Sequence, residues 1–250
     1  RMMGIERTLL FLALALLAEI AGTLGGFGSS VFFVPIANLF FDFESVLGIT
    51  ALYHLSSNLS KLGMFRGGID KRLLLTLGIP SVVFAMLGGL ATKLIATEWL
   101  ELALSIFLMA LSAWMLLRPR WAIAATTRNA ILGGALSGGM AGLVGTGGAI
   151  RGLTMAAFNL PKDVFVATSA AIDMLADVGR ALVYWRNGYF HGHDLLYAPL
   201  LIVVAIAGTW IGRLLLRRIS QQAFRKIALG MVLVISVATF YVAVKAIQQA

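Results

Sequence analysis

The sequence predicts an all-α polytopic membrane protein, built as an inverted repeat of two homologous halves. Hydrophobic residues make up 60% of the 250 residues and charged residues only 12%, about half the charged fraction of a typical soluble domain. Several apolar stretches reach the length of about 20 residues that a helix needs to cross hydrocarbon. The second half of the chain repeats the glycine and charge pattern of the first half, which indicates a duplicated membrane domain.

The apolar segments give the order of the predicted helices. The first repeat, residues 1–120, contains a broken helix pair over 8–41 and spans at 46–65, 72–96 and 99–117. The second repeat, residues 121–250, contains a broken helix pair over 129–160 and spans at 164–186, 194–217 and 222–247.

Each broken pair is an apolar segment that stops at a cluster of glycines and restarts as a short apolar segment. The clusters lie at Gly22–Ser30 and Gly142–Gly148. Glycine lowers helix propensity by about 1 kcal/mol relative to alanine, so a cluster of glycines predicts a break. Isolated glycines spaced four apart, such as Gly134 and Gly138, instead predict close approach of a neighbouring helix.

The charge of the loops predicts that the two halves are inverted. The strongly basic loops 66–72, 118–128 and 217–226 are expected in the cytoplasm. Loop 93–101, the repeat equivalent of 217–226, carries Lys93 against Glu98 and Glu101. Equivalent loops are therefore expected on opposite sides of the membrane, with both termini outside.

The route of each broken pair through the membrane has two alternatives, a re-entrant hairpin or two short spans. Segments 30–41 and 149–160 are short for a crossing at about 1.5 Å per residue. This length favours the hairpin.

The two glycine clusters also predict a binding site for a small anion. Broken helices at membrane depth, repeated in both halves, are typical of transporter binding sites. A helix N-terminus there offers unpaired N–H groups and partial positive charge, although a purely structural kink is the alternative. The candidate substrate-binding residues are Gly25, Gly26, Gly28, Ser29, Ser30, Gly145, Thr146, Gly147, Gly148 and Arg151.

Arg151 is the candidate ligand for the anion. An arginine at membrane depth is costly and usually faces the interior of the helix bundle. Its planar guanidinium suits a carboxylate, sulfite or sulfonate. The alternatives are an arginine that reaches the membrane interface, or one that pairs with Asp173 or Asp177.

A polar stripe follows the same spacing in both halves, 119 residues apart, and provides candidates for ion coupling. Its members are His54, Asn58 and Lys61 in the first half and Asp173, Asp177 and Arg180 in the second. Buried Asp and His side chains suit coupling to a proton or Na⁺, whereas Lys61 and Arg180 suit charge pairing. Glu19, before the first break, either lies in the cavity or pairs with a basic group. The alternative to coupling is a set of internal ion pairs.

Enzymatic, metal and nucleic-acid functions lack support in the sequence. With no cysteine, the chain has no thiolate metal site and no cysteine nucleophile. It also lacks an HExxH motif and a serine–histidine–acid set, so no catalytic residue and no cofactor are predicted. His191 and His193 have a metal-like spacing that an interfacial loop explains equally well. The net charge of +9 fits basic cytoplasmic loops without a nucleic acid.

Taken together, these residues resemble the sulfite exporter TauE/SafE family. The resemblance is carried by the twin segments Gly22–Pro35 and Gly142–Met155, by residues 161–169, and by Arg186–Gly188. It implies a duplicated membrane domain that moves small sulfur-containing anions such as sulfite, sulfoacetate or a related organosulfonate.

We therefore expect a secondary transporter that exports a small sulfur-containing anion across the bacterial inner membrane, as a multi-pass protein in the lipid bilayer. The rival interpretations are an ion channel of the same fold and, more remotely, an intramembrane enzyme that acts on lipid. A homodimer is left open.

Overall fold

The computed structural model describes residues 4–25, 28–118, 124–216 and 218, and scattered residues between 230 and 248. Over these residues the chain is helical, and no strand is present among them. Gly26, most of loop 217–226 and most of segment 222–247 lie outside the described residues. The helices are α1 (Ile5–Gly25), α2 (Ser30–Ala37), α3 (Phe43–Met64), α4 (Lys71–Leu94), α5 (Thr97–Leu117), α6 (Thr127–Val144), α7 (Gly148–Ala156), α8 (Lys162–Asn187) and α9 (Ala198–Leu216), and a single helical turn, Gly192–Leu195, lies in the connection between α8 and α9.

Three of these helices, α1, α4 and α9, are long and apolar enough to cross a membrane. Large apolar side chains are exposed along them, for example Leu17, Leu87 and Trp210. In a membrane such side chains contact lipid tails instead of water, so their exposure on the protein surface has no hydrophobic cost. The all-helical architecture predicted from the sequence is confirmed for the described residues, and the protein is a membrane protein.

Short helices α2 and α7 lie inside the protein. Every residue of α2 except Ile36 is buried, and so is α7 from Arg151 to Met155. Helix α1 ends at Gly25 and α2 begins at Ser30, while α6 ends at Val144 and α7 begins at Gly148. Interrupted backbone in a membrane is tolerated where protein surrounds it, which is the position that these two helices have.

The packing of the long helices is reciprocal between the two halves. Helix α4 packs on α6 and α8, and its sequence counterpart α9 packs on α1 and α3. The counterparts α3 and α8 pack against each other. Each half therefore contributes its fourth segment to the other half, and the site described below lies where α3 and α8 meet.

The contact between α4 and α6 is made at the level of the backbone. A Cβ atom on Gly134, Gly138 or Gly142 of α6 would lie within 3 Å of backbone atoms of α4. The nearest atoms are the carbonyl oxygens of Leu77, Ser81 and Ala85, which have the same four-residue spacing. The close helix approach predicted from the glycine spacing is confirmed.

Helix α4 also contains a π-helical turn over Leu74–Gly78, which the sequence analysis did not predict. Pro80 follows at the start of the regular helix. Proline has no backbone N–H for the carbonyl of Thr76 four residues earlier, so the preceding turn widens.

Candidate functional site

Arg151 and Asp173 form a buried ion pair between α7 and α8. The guanidinium donates from Nη1 and Nη2 to the two carboxylate oxygens of Asp173, and from Nε to Ser169 Oγ at 2.9 Å. Arg151 is only 1% exposed, so it does not reach the membrane interface. Of the alternatives left open by the sequence, the structure has the pair with Asp173.

The first glycine cluster contacts this ion pair. Gly28 has a φ of 80°, a left-handed conformation that favours glycine. A Cβ atom at Gly28 would lie 3.1 Å from Nη2 of Arg151 and 3.3 Å from Oδ2 of Asp173. A side chain at this position would therefore press on both partners of the ion pair, and glycine leaves them room.

The two glycine clusters lie against each other. Thr146, before α7, donates from its hydroxyl to Ser30 Oγ of α2 at 3.2 Å. Gly145 has a φ of 78° and ends α6, and a Cβ atom there would lie 3.1 Å from Val34. The N-termini of α2, after Ser29, and of α7, after Gly147, both lack a side-chain cap.

A second carboxylate, Asp177, connects α8 to α3. Its Oδ1 pairs with Arg180 Nη2 at 2.7 Å, and its Oδ2 accepts from Asn58 Nδ2 at 2.9 Å. His54 Nδ1 lies 3.6 Å from the same Oδ2, and His54 Nε2 lies 3.2 Å from Ser29 Oγ. Asn58 and Asp177 are 119 residues apart, the spacing that relates the two predicted repeats, so each contacts the residue predicted to be its counterpart.

Arg180 also binds the end of α6. Its Nη1 donates to the carbonyl oxygens of Ala141 and Gly145, each at 2.9 Å. The hydroxyl of Tyr184 donates to the carbonyl of Gly142 at 2.6 Å. The last carbonyls of a helix have no intrahelical partner and carry partial negative charge, so this cation stabilises the break after α6.

Lys61, the counterpart of Arg180, instead pairs with Glu19. Its Nζ lies 2.8 Å from Glu19 Oε1 and donates to Ser57 Oγ at 2.5 Å. Glu19 is fully buried, and the same oxygen accepts from Ser57 at 2.7 Å and from Thr209 of α9 at 3.0 Å. The pair predicted as one of two alternatives for Glu19 is therefore present.

A small cavity lies between these groups. Its polar wall is formed by Thr23, Asn58, Lys61, Ser169 and Asp173, and the rest of its lining is Gly22, Gly28, Val166 and Ala170. The space inside is about that of one water molecule. The cavity borders Asp173 of the Arg151–Asp173 pair, and an anion larger than water fits only if the cavity widens.

Of the two histidines with a metal-like spacing, His191 is described by the structure, whereas the side chain of His193 lies outside the described part. No group of three or more His, Cys, Asp or Glu side chains comes together among the described residues. His191 Nδ1 lies 3.0 Å from Ser45 Oγ and 3.3 Å from Asp194 Oδ2. The contact with Ser45 joins the segment after α8 to the first turn of α3.

Some residues of the site were not predicted from the sequence. Ser169 and Ser57 lie four residues before Asp173 and Lys61 on the same helix faces, so an extended search of the polar stripe finds them. Thr209 belongs to α9, and no spacing in the sequence indicates that α9 contacts Glu19.

Comparison with known families identifies a match over most of the chain. The family model described as Sulfite exporter TauE/SafE matches residues 11–239, which include every residue of the site described above. A comparison with curated proteins finds no significant match.

Proposed function

The chain belongs to the sulfite exporter TauE/SafE family, and on that premise we propose that it is a secondary transporter whose anion binds Arg151 in exchange for Asp173. The family is one of membrane transporters that export sulfite and related anions. The proposed substrate is sulfite, sulfoacetate or a related organosulfonate, and the proposed location is the bacterial inner membrane.

The observation that carries the proposal is the bidentate contact between Arg151 and Asp173. A sulfite or sulfonate group presents two oxygens to a guanidinium in the same way as a carboxylate does. The Asp173 carboxylate is therefore a built-in competitor for the anion. Ser169 accepts from Nε of Arg151, whereas Asp173 accepts from Nη1 and Nη2. Ser169 can therefore remain bound to Arg151 while the anion replaces Asp173.

The glycine clusters support binding of an anion at this place. Gly28 lies against Arg151 and Asp173, and the uncapped N-termini of α2 and α7 are close to them. Backbone N–H groups at a helix N-terminus are suited to an anion. In the proposal, the anion site at these helix N-termini also includes the candidate residues Gly25, Ser29, Ser30, Thr146, Gly147 and Gly148.

Exchange at Arg151 couples transport to protons. When the anion takes the place of Asp173, a buried carboxylate is left without its cation, which is unfavourable by about 3–5 kcal/mol if nothing compensates. A proton taken up by Asp173 removes this cost. Asp177 and His54 are then supporting groups, since Asp177 is already held by Arg180 and Asn58. Na⁺ is the alternative coupling ion.

We further propose that the two halves form an inverted repeat that alternates access to the site. The reciprocal packing of α4 and α9 and the contact of Asn58 with its counterpart Asp177 support a pseudo-two-fold axis between α3 and α8. The opposite charge of the equivalent loops 93–101 and 217–226 supports an axis in the membrane plane.

Flux measurements in proteoliposomes test this function. Purified protein is expected to carry sulfite or sulfoacetate with saturable kinetics, and a proton gradient is expected to change the rate. Arg151→Ala is expected to abolish the flux while the protein remains folded in detergent. Unitary ohmic currents, or full transport by Arg151→Ala, would contradict the proposal.

A further inference from the structure

Lys61 is the cation that lines the cavity directly. Arg151 lies behind Asp173 and Gly28, whereas Lys61 is part of the cavity wall together with Asn58 and Asp173. An anion that enters the cavity therefore contacts Lys61 in addition to the group that it displaces from Arg151.

Lys61 has an N–H group to offer an anion. An ammonium has three N–H donors, and its contacts with Glu19 and Ser57 use two of them among the described residues. Lys61 is only 4% exposed, so its third N–H group does not donate to bulk solvent. The side chain can bind a further oxygen without releasing Glu19.

Glu19 has its own partners, which keep it in place when Lys61 binds a further group. Its Oε1 accepts from the hydroxyls of Ser57, Thr23 and Thr209 at 2.7–3.2 Å. The Lys61–Glu19 pair therefore differs from the Arg151–Asp173 pair, in which Asp173 is bound by the cation that the anion takes. The Lys61–Glu19 pair can stay intact while an anion binds, whereas the Arg151–Asp173 pair must open.

We propose that Lys61 Nζ is a second anion-binding group, and that the transporter selects sulfonates that carry a second oxygen-bearing end. The sulfonate binds Arg151. The second end, such as a carboxylate, binds Lys61 and the second N–H of the Asn58 side-chain amide, whose first N–H donates to Asp177. This inference rests on the proposed function and specifies its substrate class.

Two probes of similar sulfonate chemistry test the inference. Sulfoacetate has a sulfonate and a carboxylate, whereas methanesulfonate has the sulfonate alone. Calorimetric titration of the purified protein gives the ratio of their affinities. The wild-type protein is expected to prefer sulfoacetate by roughly tenfold, which corresponds to about 1.4 kcal/mol.

Two variants separate binding by Lys61 from its structural role. Glu19→Gln leaves Lys61 charged without its carboxylate and is expected to increase the preference for sulfoacetate. The double variant Glu19→Gln/Lys61→Gln removes both charges together, so it leaves no unpaired buried ion, and its preference is expected to fall to about one.

The outcomes distinguish this inference from the proposed function. If the double variant keeps the wild-type preference, or Glu19→Gln fails to increase it, the role of Lys61 is wrong while binding at Arg151 stands. If neither probe binds the wild-type protein but sulfite does, this inference is wrong and the proposed function stands. If sulfite does not bind either, the proposed function fails and this inference fails with it.

Discussion

Ion pairs at the centre of the molecule form a charge-balanced set among the described residues. The pairs are Lys61 with Glu19, Arg151 with Asp173 and Arg180 with Asp177. Removing one partner of a buried ion pair costs about 3–5 kcal/mol because the other charge is left unpaired. In the proposal, an anion enters this set together with one proton for each negative charge that it carries, and the proton binds a buried carboxylate or the anion itself.

The two arginines have different surroundings, which assigns them different roles. Arg180 holds two backbone carbonyls of the α6 end in addition to Asp177. Arg151 holds only Asp173 and the Ser169 hydroxyl among the described residues. Displacing Asp177 from Arg180 disturbs a helix terminus, while displacing Asp173 from Arg151 disturbs a side-chain contact. For this reason the proposal assigns the exchange to Arg151 and not to Arg180.

At the start of α3, Asp42 is expected to make stability depend on pH. Its carboxylate accepts from the backbone N–H and the hydroxyl of Ser45, at 2.9 and 2.8 Å. Partial burial raises the pKa of Asp42, but the hydrogen bonds from Ser45 outweigh it and hold the pKa below its ordinary value. The stabilisation is present above the pKa of an unfolded aspartate and is lost as the pH falls through the lower, folded pKa.

Melting temperatures in detergent over the acidic range check this prediction. Asp42→Ala is expected to lose about 1 kcal/mol of stability near neutral pH, because the N-cap is removed. Asp42→Asn keeps a capping oxygen and is the matched control, with a flatter acidic profile than the wild-type protein. If the Asn and wild-type profiles have the same slope, Asp42 does not supply the pH dependence.

The sequence indicates which polar residues share a helix face better than it indicates which residues they contact. The spacing of Asp173, Asp177 and Arg180 places them on one face of α8, and that is a property of a single helix. Which residue of α7 meets that face depends on tertiary packing, so the Arg151–Asp173 pair was one alternative among several. The contact of Glu19 with Thr209 of α9 joins residues 190 positions apart, so it too depends on tertiary packing.

Glycines have two physical roles in the helices of this protein. Gly28 and Gly145 adopt left-handed conformations at the ends of broken helices. Gly134, Gly138 and Gly142 are ordinary helical residues whose lack of a side chain lets the carbonyls of α4 approach. The first role positions the site, and the second brings α4 of one half onto α6 of the other.

Adjacent glycines of α6 provide a matched test of the second role. A Cβ atom at Gly138 would lie within 3 Å of the backbone of Ser81, whereas one at Gly139 meets nothing within 4 Å. Gly138→Ala is expected to destabilise the protein by roughly 1–3 kcal/mol through overpacking. Gly139→Ala is expected to be neutral or stabilising by up to about 1 kcal/mol, since alanine favours a helix.

Thermal unfolding of the two variants in detergent gives the comparison. Both substitutions add one methyl group to the same helix, so a common effect of the added methyl on helix propensity cancels. Equal melting temperatures would show that the close contact between α4 and α6 does not contribute to stability.

Helix positions were predictable because each apolar segment carries its own signal of length and composition. The predicted broken pair at 129–160 corresponds to α6 and α7, and the span 164–186 corresponds to α8 (Lys162–Asn187). The π-helical turn before Pro80 was not predicted, since a proline near the start of an apolar segment is compatible with several local geometries.

At the scale of the whole molecule, each half supplies a helix to the other. The pairs α4–α6 and α9–α1 are counterparts, and so are α4–α8 and α9–α3. These contacts join the first and the second half of the chain on both sides of the α3–α8 contact. The sequence could suggest the duplication, but it could not suggest this exchange, because the exchange is a property of packing between distant segments.

Labelling of single cysteines tests the proposed inversion of the repeats. The wild-type chain has no cysteine, so an introduced thiol is the only one. Ile69→Cys, between α3 and α4, is expected to react from the cytoplasmic side only. Gly192→Cys, in the equivalent loop between α8 and α9, is expected to react from outside only, because inverted repeats place equivalent loops on opposite sides.

Leu94→Cys is the control for the labelling experiment. Leu94 is exposed at the far end of α4 from Ile69, and its cysteine is expected to react from outside. Reaction of the Ile69 and Gly192 variants from the same side would instead indicate a parallel repeat.

The most direct test of the account measures the affinity for methanesulfonate as a function of pH, in the wild-type protein and in Asp173→Asn. Methanesulfonate keeps one negative charge throughout, so any change comes from the protein. We expect the wild-type affinity to rise as the pH falls, because protonated Asp173 releases Arg151. Asp173→Asn is expected to bind tightly at every pH. A wild-type affinity that does not change with pH, or an Asn variant that binds no better than the wild-type protein in alkaline buffer, would contradict exchange at Arg151.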